Sequence, residues 1–181
     1  MINEATLSSR KFSKLIWSRR PGAFDLNCDF TFNAKELEVD CLFKVPVFFE
    51  GGTGKVHGGI IAALMDEAQG ALCYHLGHFV MTDHLSIDYK KAIPVQQEIR
   101  IRARLSAVRK KKLYSKAYIY SSNKELMASS RARWYLFSPR ILQRVQSGYY
   151  SENDWQKIMS MMHANRIRSK AVRASLKNKN K

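Results

Sequence analysis

The segment from Gly58 to Leu76 is the feature that most restricts how this chain can fold. Its apolar residues recur at steps of three and four, which is the period of an α-helix, and the glycine that follows suits a helix end. Charged side chains are nearly absent from the segment. Because a helix without a charged face has no side suited to water, the pattern predicts a buried helix that other elements must cover.

Strand patterns stand on both sides of this helix. Before it, apolar residues fall on every second position from Leu37 to Phe49, which predicts one long strand with a bulge near Pro46. After it, further alternating runs lie at 85–89, 99–105, 113–120 and 127–137. Breaks at Ile93-Pro94 and Ser122-Asn123-Lys124 suit turns between antiparallel neighbours. The order predicts an α+β fold, in which an antiparallel sheet carries the helix on one face.

Length and composition favour one domain with extensions. The chain has 181 residues, of which 45% are apolar, enough for one sizeable core. Its longest apolar run, Ile60 to Met65, is far too short to cross a bilayer, and the basic N-terminus has no signal-peptide core. We therefore expect a cytoplasmic protein. Cys28, Cys41 and Cys73 are odd in number and widely spaced, which predicts reduced, mostly buried thiols.

Two extensions flank the central region at 28–137. Residues 1–27 are basic, and their apolar side chains fall at near-helical spacing, which predicts a short amphipathic helix. In the C-terminal extension, 138–181, Ser151 and Asp154 form a capping signal before an amphipathic helix. The last part of the chain is polar and basic with little to bury, and we predict that it lacks structure in isolation.

The formal net charge of +16 suggests an anionic partner: nucleic acid, a membrane surface or a polyanionic small substrate. Seven basic residues and no acid lie between Arg166 and Lys181. We expect this tail to contact an anionic surface as an accessory element. The linear sequence has no basic stripe interleaved with aromatic residues, so no specific nucleic-acid partner is expected.

The chemistry is concentrated at His57-Gly58-Gly59 and Asp66. Adjacent glycines at a helix start expose backbone amides, which with the helix dipole favour developing negative charge and suit a thioester carbonyl. Asp66 stands where the helical pattern calls for an apolar or small residue. It follows Gly59 by two turns, on the same face but about 10 Å along the axis. Two helices packed antiparallel across a dimer axis would bring the two groups together.

The segments VHGGIIAALMDEAQG and VMTDHLSIDYKKAIP resemble the hotdog-fold acyl-CoA thioesterases. The branch is that of the phenylacetyl-CoA-type thioesterases and the human thioesterase superfamily members. In that branch an acidic residue follows the histidine of His-Gly-Gly by nine residues, as Asp66 follows His57 here. A later Ser or Thr opens a strand of the form Leu-x-Ile-x-Tyr, which Thr82 and the residues up to Tyr89 match. The surroundings fit a hotdog from roughly Cys28 to Phe137.

The resemblance implies a long helix wrapped by an antiparallel sheet, paired into dimers or tetramers with sites at the interface. It implies hydrolysis of acyl-CoA thioesters, with Asp66 as general base or nucleophile. An amide of Gly58 or Gly59 would be the oxyanion donor, and the Thr82 hydroxyl would orient water. His57 would either act directly or tie the loop before the helix.

Several residues have a second interpretation. Family members often have Asn or Gln shortly before the histidine, where this chain has Glu50, Gly51 and Gly52. Glu67 is a competing carboxylate, but it is rotated about 100° from Asp66. Thr82 is equally well explained as an ordinary strand residue. Four cations are either contacts for the phosphates of coenzyme A or a solvated face: Lys90, Lys91, Arg109 and Lys110.

No metal site is predicted, and no cofactor beyond the coenzyme A of the substrate. Two other functions stay open from the sequence. A hotdog module could bind acyl-CoA without hydrolysis, as a sensor or scaffold, although the retained Asp66 argues against this. Alternatively, the basic termini could be primary, in a binder of nucleic acid or of a membrane surface.

Overall fold

The computed structural model describes residues 26, 28–138, 140–144 and 151–179. The predicted N-terminal helix lies outside these residues. The strands are β1 (Thr31–Asn33), β2 (Glu38–Lys44), β3 (Glu50–Gly52), β4 (Lys55–Val56), β5 (Val80–Tyr89), β6 (Glu98–Arg109), β7 (Lys112–Ser121) and β8 (Leu126–Leu136). Two long helices are α1 (Gly58–His75) and α2 (Glu152–Lys179), and Val47–Phe49 forms a 3-10 helix.

Six of the strands form one antiparallel sheet in the order β1-β2-β6-β7-β8-β5, and β3 pairs with β4 in a separate hairpin. Helix α1 lies against one face of this sheet and contacts β2, β5, β6, β7 and β8. The predicted α+β arrangement and the predicted span of the buried helix are confirmed. The core lies between α1 and the sheet, where alternate residues of β6, β7 and β8 are buried.

A buried polar network fixes how α1 is rotated on the sheet. Gln69 is fully buried, and its Nε2 donates to the Ser130 hydroxyl at 2.9 Å. The Ser115 hydroxyl donates to Gln69 Oε1 at 2.8 Å, and Trp134 Nε1 donates to the Ser115 hydroxyl at 2.8 Å. Satisfied buried networks of this kind specify one arrangement of the core. The network therefore also determines where Asp66, three residues before Gln69, is placed.

The prediction of one strand from Leu37 to Phe49 is wrong. Strand β2 starts at Glu38, because Leu37 has a positive φ of 52°. It ends at Lys44, where the pairing with β6 stops. Pro46 has no N–H to continue a ladder, and the chain turns into the 3-10 helix. The apolar alternation of the sequence runs on to Phe49, but the alternation of burial stops, because Val47 is exposed between the buried Val45 and Phe49.

The prediction that the chain loses structure after the capped helix is also wrong, because α2 continues to Lys179. The capping signal itself is confirmed, since the Asp154 amide donates to the Ser151 hydroxyl at 3.2 Å. Further along α2, Ser169 is buried, and its hydroxyl donates to the Leu76 carbonyl at 2.9 Å. Asn165 donates to the Tyr74 carbonyl at 3.2 Å. Composition alone could not show that α2 would find these partners on the end of α1.

Gly77 permits this close docking of α2. It has a positive φ of 80°, and a Cβ at this position would lie 2.4 Å from the backbone nitrogen of Arg166. Only glycine tolerates both conditions. Cys28, Cys41 and Cys73 are buried, as predicted. Among the helices that the structure describes, none is both long and apolar enough to cross a membrane.

Candidate functional site

His57 is the N-cap of α1. Its Nδ1 accepts a hydrogen bond from the Gly59 amide at 3.0 Å, and its own amide donates to the Phe49 carbonyl at 2.9 Å. The first amides of a helix have no partner within the helix, so this side chain satisfies one of them. For the Gly58 amide, by contrast, the described residues provide no hydrogen-bond acceptor. Of the two predicted oxyanion donors, only the Gly58 amide is therefore without an acceptor among the described residues.

The peptide group between Gly58 and Gly59 is held at both ends. The Tyr89 hydroxyl donates to the Gly58 carbonyl at 3.1 Å, while the Gly59 amide of the same peptide donates to His57. Tyr89 is the last residue of β5, so the sheet helps to orient the start of α1. Sequence reasoning placed Tyr89 in the strand pattern but missed this contact. Its fixed place in the Leu-x-Ile-x-Tyr pattern was the available signal.

The loop before α1 is built for the close approach of His57. A Cβ on Gly51 would lie 2.7 Å from the Cα of His57, which no real structure tolerates without a shift. The Glu50 carboxylate accepts a hydrogen bond from the Gly54 amide and closes the turn between β3 and β4. Glu50 stands near the position where the family often has Asn or Gln, and here its carboxylate has this structural partner.

Asp66 and Thr82 form the second part of the site. Asp66 is half-buried on α1, and Thr82 on β5 donates from its Oγ1 to Asp66 Oδ1 at 3.0 Å. Burial raises the pKa of the Asp66 carboxyl above its ordinary value, and the hydrogen bond from Thr82 opposes this rise. A carboxylate with a raised pKa is a stronger base than an exposed one, which suits proton abstraction near neutral pH.

The two parts of the site are separated within one chain. β5 brings Thr82 to Asp66 and Tyr89 to Gly58, so that the strand runs alongside α1. Eight residues of α-helix separate Gly58 from Asp66, which corresponds to about 12 Å. This agrees with the spacing argument from the sequence. One chain therefore does not present both the free amide and the carboxylate to one carbonyl group.

The four predicted phosphate contacts do not converge in one chain. Lys90 and Lys91 follow Tyr89, and Lys91 forms an ion pair with Glu125. Arg109 and Lys110 lie at the turn between β6 and β7, beside the other end of β5. A ten-residue strand separates the two pairs by about 30 Å. Within the described ranges, no group of three or more His, Cys, Asp or Glu side chains is placed to hold a metal.

Residues 53–128 match the thioesterase superfamily. Over 96 residues the chain is 33% identical to the acyl-coenzyme A thioesterase THEM4 of Rattus norvegicus. The matched region covers 53% of this chain and 41% of the relative, so the chain spans less than half the length of that protein. The match includes the whole of α1 and β5, which carry the site described above.

Two solved structures share the fold. Zebrafish thioesterase superfamily member 2 superposes with a TM-score of 0.61 at 23% identity, over 71% of this chain and 94% of that protein. A Streptococcus mutans protein bound to acetyl-CoA superposes with a TM-score of 0.59 at 20% identity, over 66% of this chain and 95% of that protein. These structures establish the hotdog fold, while the match of residues 53–128 and the identity to THEM4 confirm the resemblance seen in the sequence.

Proposed function

We propose that this chain, which carries a thioesterase-superfamily domain in residues 53–128, hydrolyses acyl-CoA thioesters to a free acid and coenzyme A. The observation that carries the proposal is the half-buried Asp66 carboxylate, held by the Thr82 hydroxyl on the helix that packs against the sheet. The names of its relatives support the substrate class, since THEM4 is an acyl-coenzyme A thioesterase and the Streptococcus mutans neighbour binds acetyl-CoA.

Asp66 acts as a general base or as a nucleophile. As a base it takes a proton from water, whose oxygen bonds to the carbonyl carbon of the thioester. The carbon–sulfur bond then breaks, and the sulfur of coenzyme A leaves with the electron pair and is protonated. As a nucleophile, a carboxylate oxygen attacks the same carbon, and water hydrolyses the resulting anhydride. In both routes Thr82 fixes the orientation of the carboxylate.

The Gly58 amide is the proposed donor to the carbonyl oxygen. Supporting this assignment, the Gly59 amide is already bonded to His57, whereas no described residue accepts from Gly58. The positive end of the α1 dipole adds to the stabilisation of negative charge at this point. His57 and Tyr89 then act as positioning residues, because each bonds to the peptide group that joins Gly58 to Gly59.

A homodimer completes the site in this proposal. The separation of about 12 Å between Gly58 and Asp66 is bridged when two copies of α1 lie antiparallel, since each amide then faces the carboxylate of the other copy. The position of β5 supports such pairing, because it is an edge strand of the sheet and no described strand pairs with its outer side. Met81 on this strand is 57% exposed, and a partner strand laid along β5 would cover it.

The phosphates of coenzyme A would be bound by cations near the substrate entrance. In one subunit we assign this role to Lys90 and Lys91, since they directly follow Tyr89. In a dimer, Arg109 and Lys110 would have to come from the other subunit or else serve as a solvated turn. The contact of the basic tail with an anionic surface stays a prediction.

Hydrolysis can be separated from binding with the full chain and a panel of acyl-CoAs that differ in length and branching. Release of free thiol, followed with a chromogenic reagent, is the expected result for at least one member of the panel. Saturable binding without thiol release would instead support the second candidate, a sensor or scaffold. If the chain neither binds nor hydrolyses any member of the panel, the acyl-CoA assignment is contradicted.

A further inference from the structure

The face of the sheet opposite α1, which we call the outer face, is formed by alternate residues of β6, β7 and β8. Its central side chains are cations and tyrosines, and none of them belongs to the proposed catalytic site. They comprise Arg104, Tyr114, Lys116, Tyr118, Tyr120 and Arg131. The linear sequence shows no such stripe, because three strands contribute to it and their cross-strand register brings the residues together.

Three cations form a row across this face. Arg104 lies directly opposite Lys116, and Lys116 lies directly opposite Arg131. Like charges in directly opposed positions destabilise a sheet. In the described part of the chain, no carboxylate lies within ion-pair distance of these three side chains. The row is therefore an electrostatic cost that an anionic ligand would relieve.

The cations beside this row, by contrast, form ion pairs with carboxylates. Arg100 contacts Asp40 at 2.6 Å, and Arg102 contacts Glu38 at 2.9 Å. Glu38 is the residue opposite Arg104, and its carboxylate, which contacts Arg102, also interacts electrostatically with Arg104. The margins of the outer face thus have carboxylate partners, whereas Lys116 and Arg131 at its centre have none within ion-pair distance among the described residues.

Along β7, tyrosine rings flank Lys116, the cation at the centre of this row. The rings of Tyr118 and Tyr120 have centroids 6.2 Å apart and planes at 27°, and the Arg104 guanidinium lies 5.4 Å from the centre of the Tyr118 ring. Successive outward positions on a strand are about 6.6 Å apart. Aromatic faces at this spacing beside cations are what proteins use to stack the bases and bind the phosphates of a single strand.

A cavity of about 320 Å³ opens on the same face next to the last of these rings. It is lined in part by Tyr120, Arg100 and Arg102. Its volume is in the range of small-molecule sites, so the surface offers a recess for a base or sugar as well as flat rings.

We propose that the outer face binds a single-stranded nucleic acid, with phosphates on the row of Arg104, Lys116 and Arg131 and bases stacked on Tyr118 and its neighbours. A second copy of this chain is disfavoured as occupant, because a face-to-face pair would place the two rows of cations against each other. An anionic membrane is disfavoured because the rings lie in a sheet face, where they do not protrude from an amphipathic helix.

This surface is independent of the proposed thioesterase site. Thr82 lies opposite Trp134 and Tyr89 lies opposite Ala128 on β8, and the side chains of both partners are buried on the α1 side. Arg131 and Tyr118, by contrast, alternate with buried residues and point to the outer face. A measurement of nucleic-acid binding can therefore be interpreted whether or not the protein hydrolyses acyl-CoA.

The test uses the full chain and a fluorescein-labelled single strand of about 12 nucleotides, as RNA and as DNA, followed by fluorescence anisotropy. We expect saturable binding of at least one strand. The double variant Lys116→Gln/Arg131→Gln should weaken it at least tenfold and reduce the slope of log K against log salt by about 1.4. Tyr118→Leu should weaken binding roughly 5- to 150-fold, while Tyr118→Phe, which keeps the ring and loses only the hydroxyl that accepts a hydrogen bond from Arg104, should weaken it much less.

Matched controls separate this surface from general basicity. Lys55→Gln/Lys157→Gln removes the same charge from exposed positions outside both the outer face and the basic tail, and should leave the affinity within about threefold. A strand of equal length without bases should bind less well. The proposal is overturned if neither strand binds, if this control variant loses as much affinity as the β7–β8 variant, or if Tyr118→Leu binds like the parent. The proposal is likewise overturned if heparin, anionic vesicles or the strand without bases binds equally well, because the face would then bind polyanions in general.

Discussion

The Thr82 hydroxyl donates a hydrogen bond to Asp66 Oδ1 at 3.0 Å, and this contact joins the last strand of the sheet to the buried helix. Two opposing influences act on the carboxylate. Burial raises the pKa of Asp66, and the hydrogen bond from Thr82 lowers it by stabilising the charged form. The basicity of the proposed catalytic carboxylate therefore depends on how far Asp66 is buried and on the hydrogen bond from the Thr82 hydroxyl.

Thr82→Val keeps the shape of the side chain and removes its hydrogen-bond donor. The pKa of Asp66 should then rise further, because burial remains without the opposing hydrogen bond. Since the proposed base works in its ionised form, the acidic limb of the kcat/KM profile should move to higher pH. Thr82→Ser retains the donor and should keep the parental profile. An unchanged limb in an active Thr82→Val enzyme would show that this bond does not tune the catalytic carboxylate.

Tyr89→Phe should reduce kcat while leaving the fold intact. The variant loses only the hydroxyl that bonds to the Gly58 carbonyl at 3.1 Å. A hydrogen bond of this kind contributes about 0.5–1.5 kcal/mol, so kcat should fall roughly 2- to 10-fold. KM and the melting temperature should change little, because the ring remains. A change in KM alone, with kcat preserved, would mean that Tyr89 contacts the substrate and does not position the peptide.

Ser169→Ala should destabilise the protein although it lies far from the site. Ser169 is 1% exposed, and its hydroxyl bonds to the Leu76 carbonyl at the end of α1. Its loss leaves a buried acceptor without that donor, at a cost of about 1–2 kcal/mol in the free energy of unfolding. Ser160→Ala, at an exposed position of the same helix, is the control. Equal denaturation midpoints for the two variants would indicate that α2 is not docked on α1.

The sequence was sufficient for the elements with a strong period. Helix α1 was predicted from Gly58 to Leu76, and it ends at His75. The prediction succeeded because the apolar stripe and the flanking glycines are local signals. The strand predicted through Phe49 failed because the apolar alternation of the sequence continues past Pro46 into a 3-10 helix, where Val47 is exposed. Beyond Pro46 the alternation of residue types therefore reported neither the conformation nor the burial of Val47.

Contacts between distant segments were harder to predict. The docked face of α2 includes Trp155, Ile158, Met162 and Ser169, and this spacing of three, four and seven residues was readable in the sequence. The sequence did not indicate that this face of α2 would pack against the end of α1. The bond from Tyr89 to Gly58 likewise depends on the path of β5 along α1. For the site itself, the residue types and their spacing were predictable, but which glycine amide remains unpaired was not.

A shared site predicts that two inactive variants restore activity to each other. Gly58→Pro removes the proposed amide donor at the first position of α1, where proline is well accommodated, and a Cβ there would lie 3.8 Å from the Tyr89 ring. Mixed with Asp66→Asn after subunit exchange, it should give up to about a quarter of wild-type turnover through hybrid dimers with one intact site. Gly58→Ala keeps the amide and should stay active. Absence of recovery despite proven exchange would mean that each site lies within one subunit.

Asp66→Asn should not destabilise the protein at neutral pH. Because burial raises the pKa of Asp66, the folded state binds its proton more tightly than the unfolded state does. This contribution to stability is complete below the unfolded pKa and is lost as pH rises through the folded pKa. Asparagine is neutral at every pH, so the melting temperature of the variant at pH 7 should equal or exceed that of the parent. The difference should shrink on acidification.

The most direct test of the central claim is the rate of thiol release from acyl-CoA by the parent, Asp66→Asn and Glu67→Gln. Turnover by Asp66→Asn should fall about 10²- to 10⁴-fold while acyl-CoA binding is retained, because the change removes the base and preserves the shape. Glu67→Gln should keep most of the activity, since that side chain is rotated about 100° around α1. Near-parental hydrolysis by a folded Asp66→Asn protein would contradict the assignment of Asp66 as the catalytic carboxylate.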